Sequence, residues 1–226
     1  AFFELHVEQG PGLEEEGVEI GAVSGVQGIS WTEYSIAGTS NHAGTTPMRL
    51  RRDAGYVAAA IATFARDIAR EMGGDQVATC GVIELEPNLV NVIARRAKVT
   101  VDLRNTEEAL LQEAERRMAA RVAELEQSEG VEIAARTLAR FAPVDFDAAM
   151  VDLVAETAAS LGHSVKRMPS GAGHDAQMFA PNCPTAMVFV PSKDGISHNV
   201  REYTAPQQIG AGANVLLQVM LSTASS

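Results

Sequence analysis

The chain has 226 residues, 46% of them hydrophobic, and a formal net charge of −11: enough apolar material to bury a core, in one large domain or two small ones. The acidic balance argues against nucleic acid or an anionic membrane surface as a main partner, and no run approaches the roughly 18 apolar residues of a membrane span. Cys80 and Cys183 stand far apart and form no CxxC spacing, which suits a reduced, cytoplasmic protein.

"FFELHV" (2–7) reads as a strand that ends in a turn at Pro11-Gly12. The chain opens in this strand with neither an initiator Met nor a signal peptide, and is therefore read as a piece of a longer protein. "GISWTEYSI" from Gly28 reads as a second strand. After Asp53 a helix carries Val57, Ile61, Phe64, Ile68 and Met72 at the 3.6-residue period and stops at Gly73-Gly74. "VATCGVIEL" and "RAKVTVDLR" read as one strand each, the second alternating Val99, Val101, Leu103 against Lys98, Thr100, Asp102, Arg104. Asn105 with Glu108 opens a helix carrying Leu111, Met118, Val122 and Leu125, and "VEIAARTL" closes as a strand. The order β-α-β-β-α-β over 28–138 is the split, ferredoxin-like pattern.

Beyond it, "AAMVDLVAETAASLG" reads as a helix and "SGAGHDAQMF" as a glycine loop running into a short helix. "TAMVFV" is a continuous apolar run suited to a strand buried on both faces. The loop "SKDGISHN" follows. Thr204 with Gln207 is expected to cap a last helix that uses Leu216, Leu217 and Met220. The simplest architecture is an α/β (α+β) chain in which residues 1–25 and 140–226 form one domain and residues 26–139 an inserted ferredoxin-like domain. His6 and His198 both lie at carboxyl ends of strands, where ligand groups gather in open α/β sheets.

Four of the five histidines stand in distinctive contexts, "ELHVEQG", "SNHAGTTP", "GAGHDA" and "GISHN", while His163 reads as an ordinary surface residue. Histidine at turns and strand ends beside acids and amides suits metal ligation or acid–base work. A lone His is nonetheless more often satisfied by its neighbours, and no HExxH spacing decides the matter. GxSxG, GxGxxG and the P-loop are absent. Cys183, between Asn182 and Pro184, suits a small core residue. Asp102 and Arg104 share a strand face, either as an exposed ion pair or with the guanidinium set as a fork for a carboxylate.

In order along the chain, "ELHVEQGPGLE", "SNHAGTTPM", "PNLVNVI" with "VDLR", "SGAGHDAQMFAP" and "GISHNVREYT" together resemble the dinuclear-zinc amidohydrolases. That group includes N-carbamoyl-L-amino acid hydrolases, allantoate amidohydrolases and β-ureidopropionases, relatives of carboxypeptidase G and the aminoacylases. The resemblance spans essentially the whole chain. It implies part of a zinc-exopeptidase-like catalytic domain with an inserted lid and dimerisation domain, and two divalent metal ions, zinc or else manganese, cobalt or nickel. It implies His6 and His198 as ligands, one to each metal, and Gln9 facing the substrate. It implies that His42 reaches the partner subunit's active site and helps stabilise the oxyanion. Asn91 and Arg104 are implied to bind the substrate carboxylate, again across a homodimer. The "GAGHDA" loop lines the pocket, with no definite role for His174 or Asp175.

The implied reaction is hydrolysis of the ureido C–N bond of N-carbamoyl-L-amino acids; allantoate is the alternative substrate, and a non-catalytic dimerisation or ligand-binding module the alternative of another class. Two departures stand out, Ala94 and Val200 where the family often has proline, and they bear on loop rigidity. The family's HxD motif and paired glutamates, which supply the bridging aspartate, the general base and a further ligand, lie upstream of the stretch that Ala1 opens. These residues by themselves are thus expected to make a poor enzyme or none, because a catalytic zinc takes three protein ligands.

Overall fold

A computed structural model describes residues 1–225. The chain divides into two compact units, Ala1–Gln27 with Pro143–Ser226, and Gly28–Ala142. Its elements in order are β1 (Phe2–Val7), α1 (Gly12–Glu16), β2 (Ile20–Val26), β3 (Gly28–Ala37), α2 (Ala54–Met72), β4 (Val77–Thr79), β5 (Ile83–Glu86), β6 (Arg96–Asn105) and α3 (Glu108–Glu129), followed by β7 (Glu132–Phe141), β8 (Val144–Asp145), α4 (Ala148–Ser160), β9 (Val165–Ser170), α5 (Asp175–Phe179), β10 (Thr185–Val190) and α6 (Pro206–Ala224).

In the first unit β10 runs parallel to β1, with His6 opposite Phe189, and antiparallel to β2. β2 also pairs in parallel with β9 and antiparallel with β8. Every residue of β10 is buried, as its unbroken apolar sequence requires for a strand covered on both faces. Val151, Val154 and Ala158 of α4 and Val215 and Val219 of α6 share one core with Met187 and Phe189 of β10.

The last helix departs from its sequence reading. Its buried face is Gly212, Val215 and Val219, while Leu217 and Met220 are exposed. The reason lies at Gly212, where an added Cβ would come within 2.5 Å of Val190 Cγ1 and 2.7 Å of Leu5 Cδ1. The helix meets the sheet through this glycine, and that contact fixes which face turns inward. Its start also moves. Pro206 takes the first helical position, where its missing N–H costs nothing. Gln208 Oε1 accepts from the Ala205 N–H at 3.0 Å, and Thr204 Oγ1 donates to the Pro191 carbonyl at 2.9 Å instead of capping.

In the second unit β6 lies beside β3, β7 pairs with the far edge of β3, and β4 and β5 share the other edge of β6. The single strand expected over "VATCGVIEL" is broken. From Thr79 to Ile83 is four steps, whereas their partners Asp102 and Val99 are three apart, so one extra residue bulges between β4 and β5. Val57, Ile61 and Ile68 of α2 and Leu111, Met118 and Leu125 of α3 pack on Val99, Val101 and Leu103 of β6. The alternation read from β6 is thus realised, its polar side chains on the opposite face. Asn105 does not open α3. It ends β6 fully buried, donates to Gln76 Oε1 at 3.0 Å and accepts from the Glu107 N–H at 2.9 Å. Pinned between these partners, it turns the chain three residues before the helix begins. Among the described residues no helix is long and apolar enough to cross a membrane.

Candidate functional site

The chemistry-bearing residues form two constellations, one on each unit. On the first, His6 lies one residue from the end of β1, with Nδ1 2.8 Å from the Val7 carbonyl oxygen. A carbonyl only accepts, so Nδ1 carries a proton, and in the neutral ring Nε2 keeps its lone pair. That tautomer is the one a metal-ligating imidazole needs, with its second nitrogen already held. Glu4, two residues earlier on the same strand face, accepts from the Ala176 N–H at 2.8 Å with Oε2 and places Oε1 3.7 Å from His174 Nδ1.

The His174 ring stands edge-on to His6 at 4.7 Å and to Phe189 at 5.5 Å, and its Nε2 is 2.8 Å from Ser170 Oγ. Its side chain is 2% exposed. Burial, and after it repulsion from His6, pushes its pKa down to about 4, so the ring is neutral near pH 7. Sequence reasoning left His174 without a role and passed over Glu4 and Ser170. The two-residue strand period linking Glu4 to His6 was a signal for the first; nothing local pointed to Ser170. His163, read as a surface residue, places Nδ1 3.4 Å from Glu19 Oε2.

Gln9 sits in the turn after β1 at φ 61°. Its N–H donates to Ser192 Oγ at 2.9 Å, its side-chain amide to Ser197 Oγ at 3.1 Å, and Ser197 in turn donates to Glu202 at 2.8 Å. The turn is thereby tied to the loop that carries His198. Asp194 and His198 in that loop also have positive φ, 56° and 52°, a costly conformation for non-glycine residues that tends to accompany functional loops. At Gly195 (φ 63°) an added Cβ would fall 2.8 Å from Pro11, so only glycine allows this close approach. Glu8 is spent on the same turn, its two oxygens each accepting at 2.8 Å from the N–H groups of Gly12 and Leu13.

His198 is exposed, and no described hydrogen bond or ring contact joins it to His6. His6 fits a metal ion as a nitrogen ligand. Among the described residues, however, no group of three or more His, Cys, Asp or Glu side chains is placed to hold one, fewer than a catalytic zinc takes.

On the second unit, His42 and Asn91 are brought together. His42 bridges Val92, the Ala43 N–H donates to the Asn91 carbonyl at 3.0 Å, and the Ile93 N–H to the Asn41 carbonyl at 2.9 Å. The His42 Nδ1 accepts from the backbone N–H of Gly44 at 3.0 Å and of Thr45 at 3.3 Å. A nitrogen that accepts carries no proton, so the neutral ring bears its proton on Nε2. The residue is exposed.

Arg104 stands on the polar face of β6, held by Asp102 through Nε at 3.0 Å and Nη2 at 2.7 Å and lying 5.8 Å over the Trp31 ring. It does not accompany the other two. The His42 and Asn91 loops extend the β3–β6 ladder past its Ala37–Arg96 end, whereas Arg104 is at the Gly28–Asn105 end. Eight residues of strand, roughly 26 Å, separate Arg96 from Arg104.

The sequence model of a family described as "Peptidase family M20/M25/M40" matches residues 1–222. The chain is 37% identical over 224 residues to an N-carbamoyl-L-amino-acid amidohydrolase of Rhizobium meliloti, covering 99% of the chain and 54% of that protein. To an allantoate amidohydrolase of Bacillus subtilis it is 35% identical over 224 residues, with the same two coverages. Among solved structures, an amidase of the hydantoinase/carbamoylase family from Burkholderia multivorans superposes with a TM-score of 0.91 at 43% identity, over 97% of this chain and 54% of that one. The chain thus spans about half the length of the curated relatives it matches.

Proposed function

We propose a function from one premise: the chain belongs to peptidase family M20/M25/M40. The whole protein is a metal-dependent amidohydrolase that cleaves the carbamoyl C–N bond of N-carbamoyl-L-amino acids, giving the amino acid, ammonia and carbon dioxide. The relative from Rhizobium meliloti, named for that reaction, supports the substrate class. Two divalent ions, zinc or else manganese, cobalt or nickel, are held with His6 as a ligand of one and His198 of the other. Such an ion, when bound, polarises a carbonyl oxygen and lowers the pKa of water toward neutrality.

The chain's own residues do the rest. Gln9 faces the substrate from the turn beside His6. Arg104, a planar fork that Asp102 orients, receives the substrate carboxylate, and Asn91 donates to it. His42 donates its Nε2–H to the oxygen that becomes negative as the carbamoyl carbon turns tetrahedral. The observation that carries this reading is the pair of backbone N–H groups on His42 Nδ1, which leaves Nε2 as the nitrogen that donates. The resemblance sets His42, Asn91 and Arg104 together across the dimer. With Arg104 roughly 26 Å of strand away from the end that carries His42 and Asn91, one amino-acid-sized substrate instead takes Arg104 from one copy of the chain and His42 with Asn91 from the other. That supports a homodimer formed through the second unit.

The test is kinetic, on the whole protein with N-carbamoyl-L-amino acids. His42→Asn lowers kcat by about 10²–10³-fold, the usual effect of losing one oxyanion donor. Arg104→Lys replaces a fork by a point charge and raises KM; an unchanged KM defeats the carboxylate assignment. The relative from Bacillus subtilis favours allantoate as a second reading, and hydrolysis of allantoate without hydrolysis of carbamoyl amino acids decides for it.

A further inference from the structure

The loop that carries His42 contains an arginine that the reading above does not use. Arg51 is half-buried, and among the described residues no carboxylate pairs with it. Its guanidinium points into the loop, where Nε donates to the Thr46 carbonyl at 3.1 Å and Nη2 to the Ala43 carbonyl at 2.6 Å. These two carbonyls bracket Gly44 and Thr45, the residues whose N–H groups grip His42 Nδ1. Thr46 closes the same loop from the other side, its Oγ1 donating to the His42 carbonyl at 2.7 Å and its N–H at 3.2 Å.

The physical consequence follows from what holds the ring. Gly44 and Thr45 are exposed and lie outside any helix or strand, so nothing repetitive fixes the direction of their N–H groups. A five-residue turn left to itself visits many conformations, and each ordered residue costs roughly 1–2 kcal/mol of backbone entropy. A rigid fork spanning both ends of the Ala43–Thr46 segment removes that freedom. Lysine, with one ammonium on a flexible stem, lacks two donors in fixed geometry.

We propose that Arg51 is the positioning residue of His42: its guanidinium ties the Ala43 and Thr46 carbonyls together, which aims the Gly44 and Thr45 N–H groups at Nδ1 and keeps the proton on Nε2. The functional consequence rests on the reading of His42 as an oxyanion donor, whereas the structural claim does not. Arg51 touches no reacting atom. It acts only through the ring it orients.

The test reads the ring directly. Long-range 15N–1H correlation spectra of this chain, at about pH 8.5 where an ordinary imidazole is neutral, report which nitrogen of each histidine carries the proton; His42→Asn assigns the signals. The wild-type ring shows one tautomer, protonated on Nε2. In Arg51→Met, folded by calorimetry, both nitrogens of His42 shift toward the mixture a free imidazole holds, and the other four histidines do not move. Arg51→Lys gives an intermediate mixture, and it decides the matter if Arg51→Met does not fold. A wild-type tautomer in the folded variants overturns the proposal. In the whole protein, Arg51→Met lowers kcat at least about tenfold with little change in KM. If the ring becomes mixed while hydrolysis is unimpaired, Arg51 positions His42 as proposed and the oxyanion reading of His42 is the part that fails.

Discussion

Replacing Glu8 tests how the turn carrying Gln9 is held. Glu8 is 9% exposed and accepts from the Gly12 and Leu13 N–H groups at 2.8 Å each. These are two of the unpaired donors at the start of α1, and hydrogen bonds to a charged acceptor contribute about 1.5–3 kcal/mol each. Glu8→Gln keeps the shape and one accepting oxygen but sets an NH2 group against the other backbone donor. One bond is lost and a donor is stranded, at a cost of about 2–3 kcal/mol. Glu8→Ala strands both and costs about 3–5 kcal/mol. For a unit of roughly 100 residues 1 kcal/mol moves a melting transition by about 4 °C, so Glu8→Gln lowers the transition of the first unit by about 8–12 °C. Calorimetry measures both units, while fluorescence of Trp31, the single tryptophan, reports the second. A Glu8→Gln melt within about 1 °C of wild type refutes the reasoning, because it means water or a shifted turn satisfies those donors at no net loss.

Three further substitutions probe the framework. In Gly212→Ala the new Cβ meets Val190 and Leu5 at 2.5 and 2.7 Å; overpacking of about 1–3 kcal/mol, partly offset by about 1 kcal/mol of helix propensity, lowers stability in urea titration. Gly38→Ala places a Cβ 2.2 Å from the Arg52 carbonyl oxygen, and since backbone must yield, it destabilises the second unit by about 2–4 kcal/mol and shifts the His42 amide resonances. Ser197→Ala removes the acceptor of the Gln9 side chain; it leaves the melting temperature within about 2 °C, as a half-exposed hydrogen bond implies, and raises KM in the whole protein.

Local pattern carried most of the element assignments. The 3.6-residue period placed α2 and α3, alternation placed β6, and the unbroken run "TAMVFV" placed the buried strand β10, because these signals are the burial itself written into the chain. The misreadings occurred where a partner distant in sequence decided the outcome. Gly212 against Val190 and Leu5 rotated the last helix, Gln76 drew Asn105 away from the start of α3, and a one-residue mismatch with β6 split a strand.

The same division runs through the candidate site. The sequence by itself determined which residue types are present and in what order, and the ordered motifs around His6, His42, Asn91, Arg104 and His198 suffice for the family. Tertiary structure alone decided what each can do. It placed the proton of His6 on Nδ1 and that of His42 on Nε2, buried His174 beside His6, tied Gln9 to Ser192 and Ser197, and set Arg104 at the far end of the sheet from His42. A tautomer is fixed by the neighbour that donates or accepts, and a separation by the strand that spans it. Neither quantity belongs to a residue until the chain has folded around it.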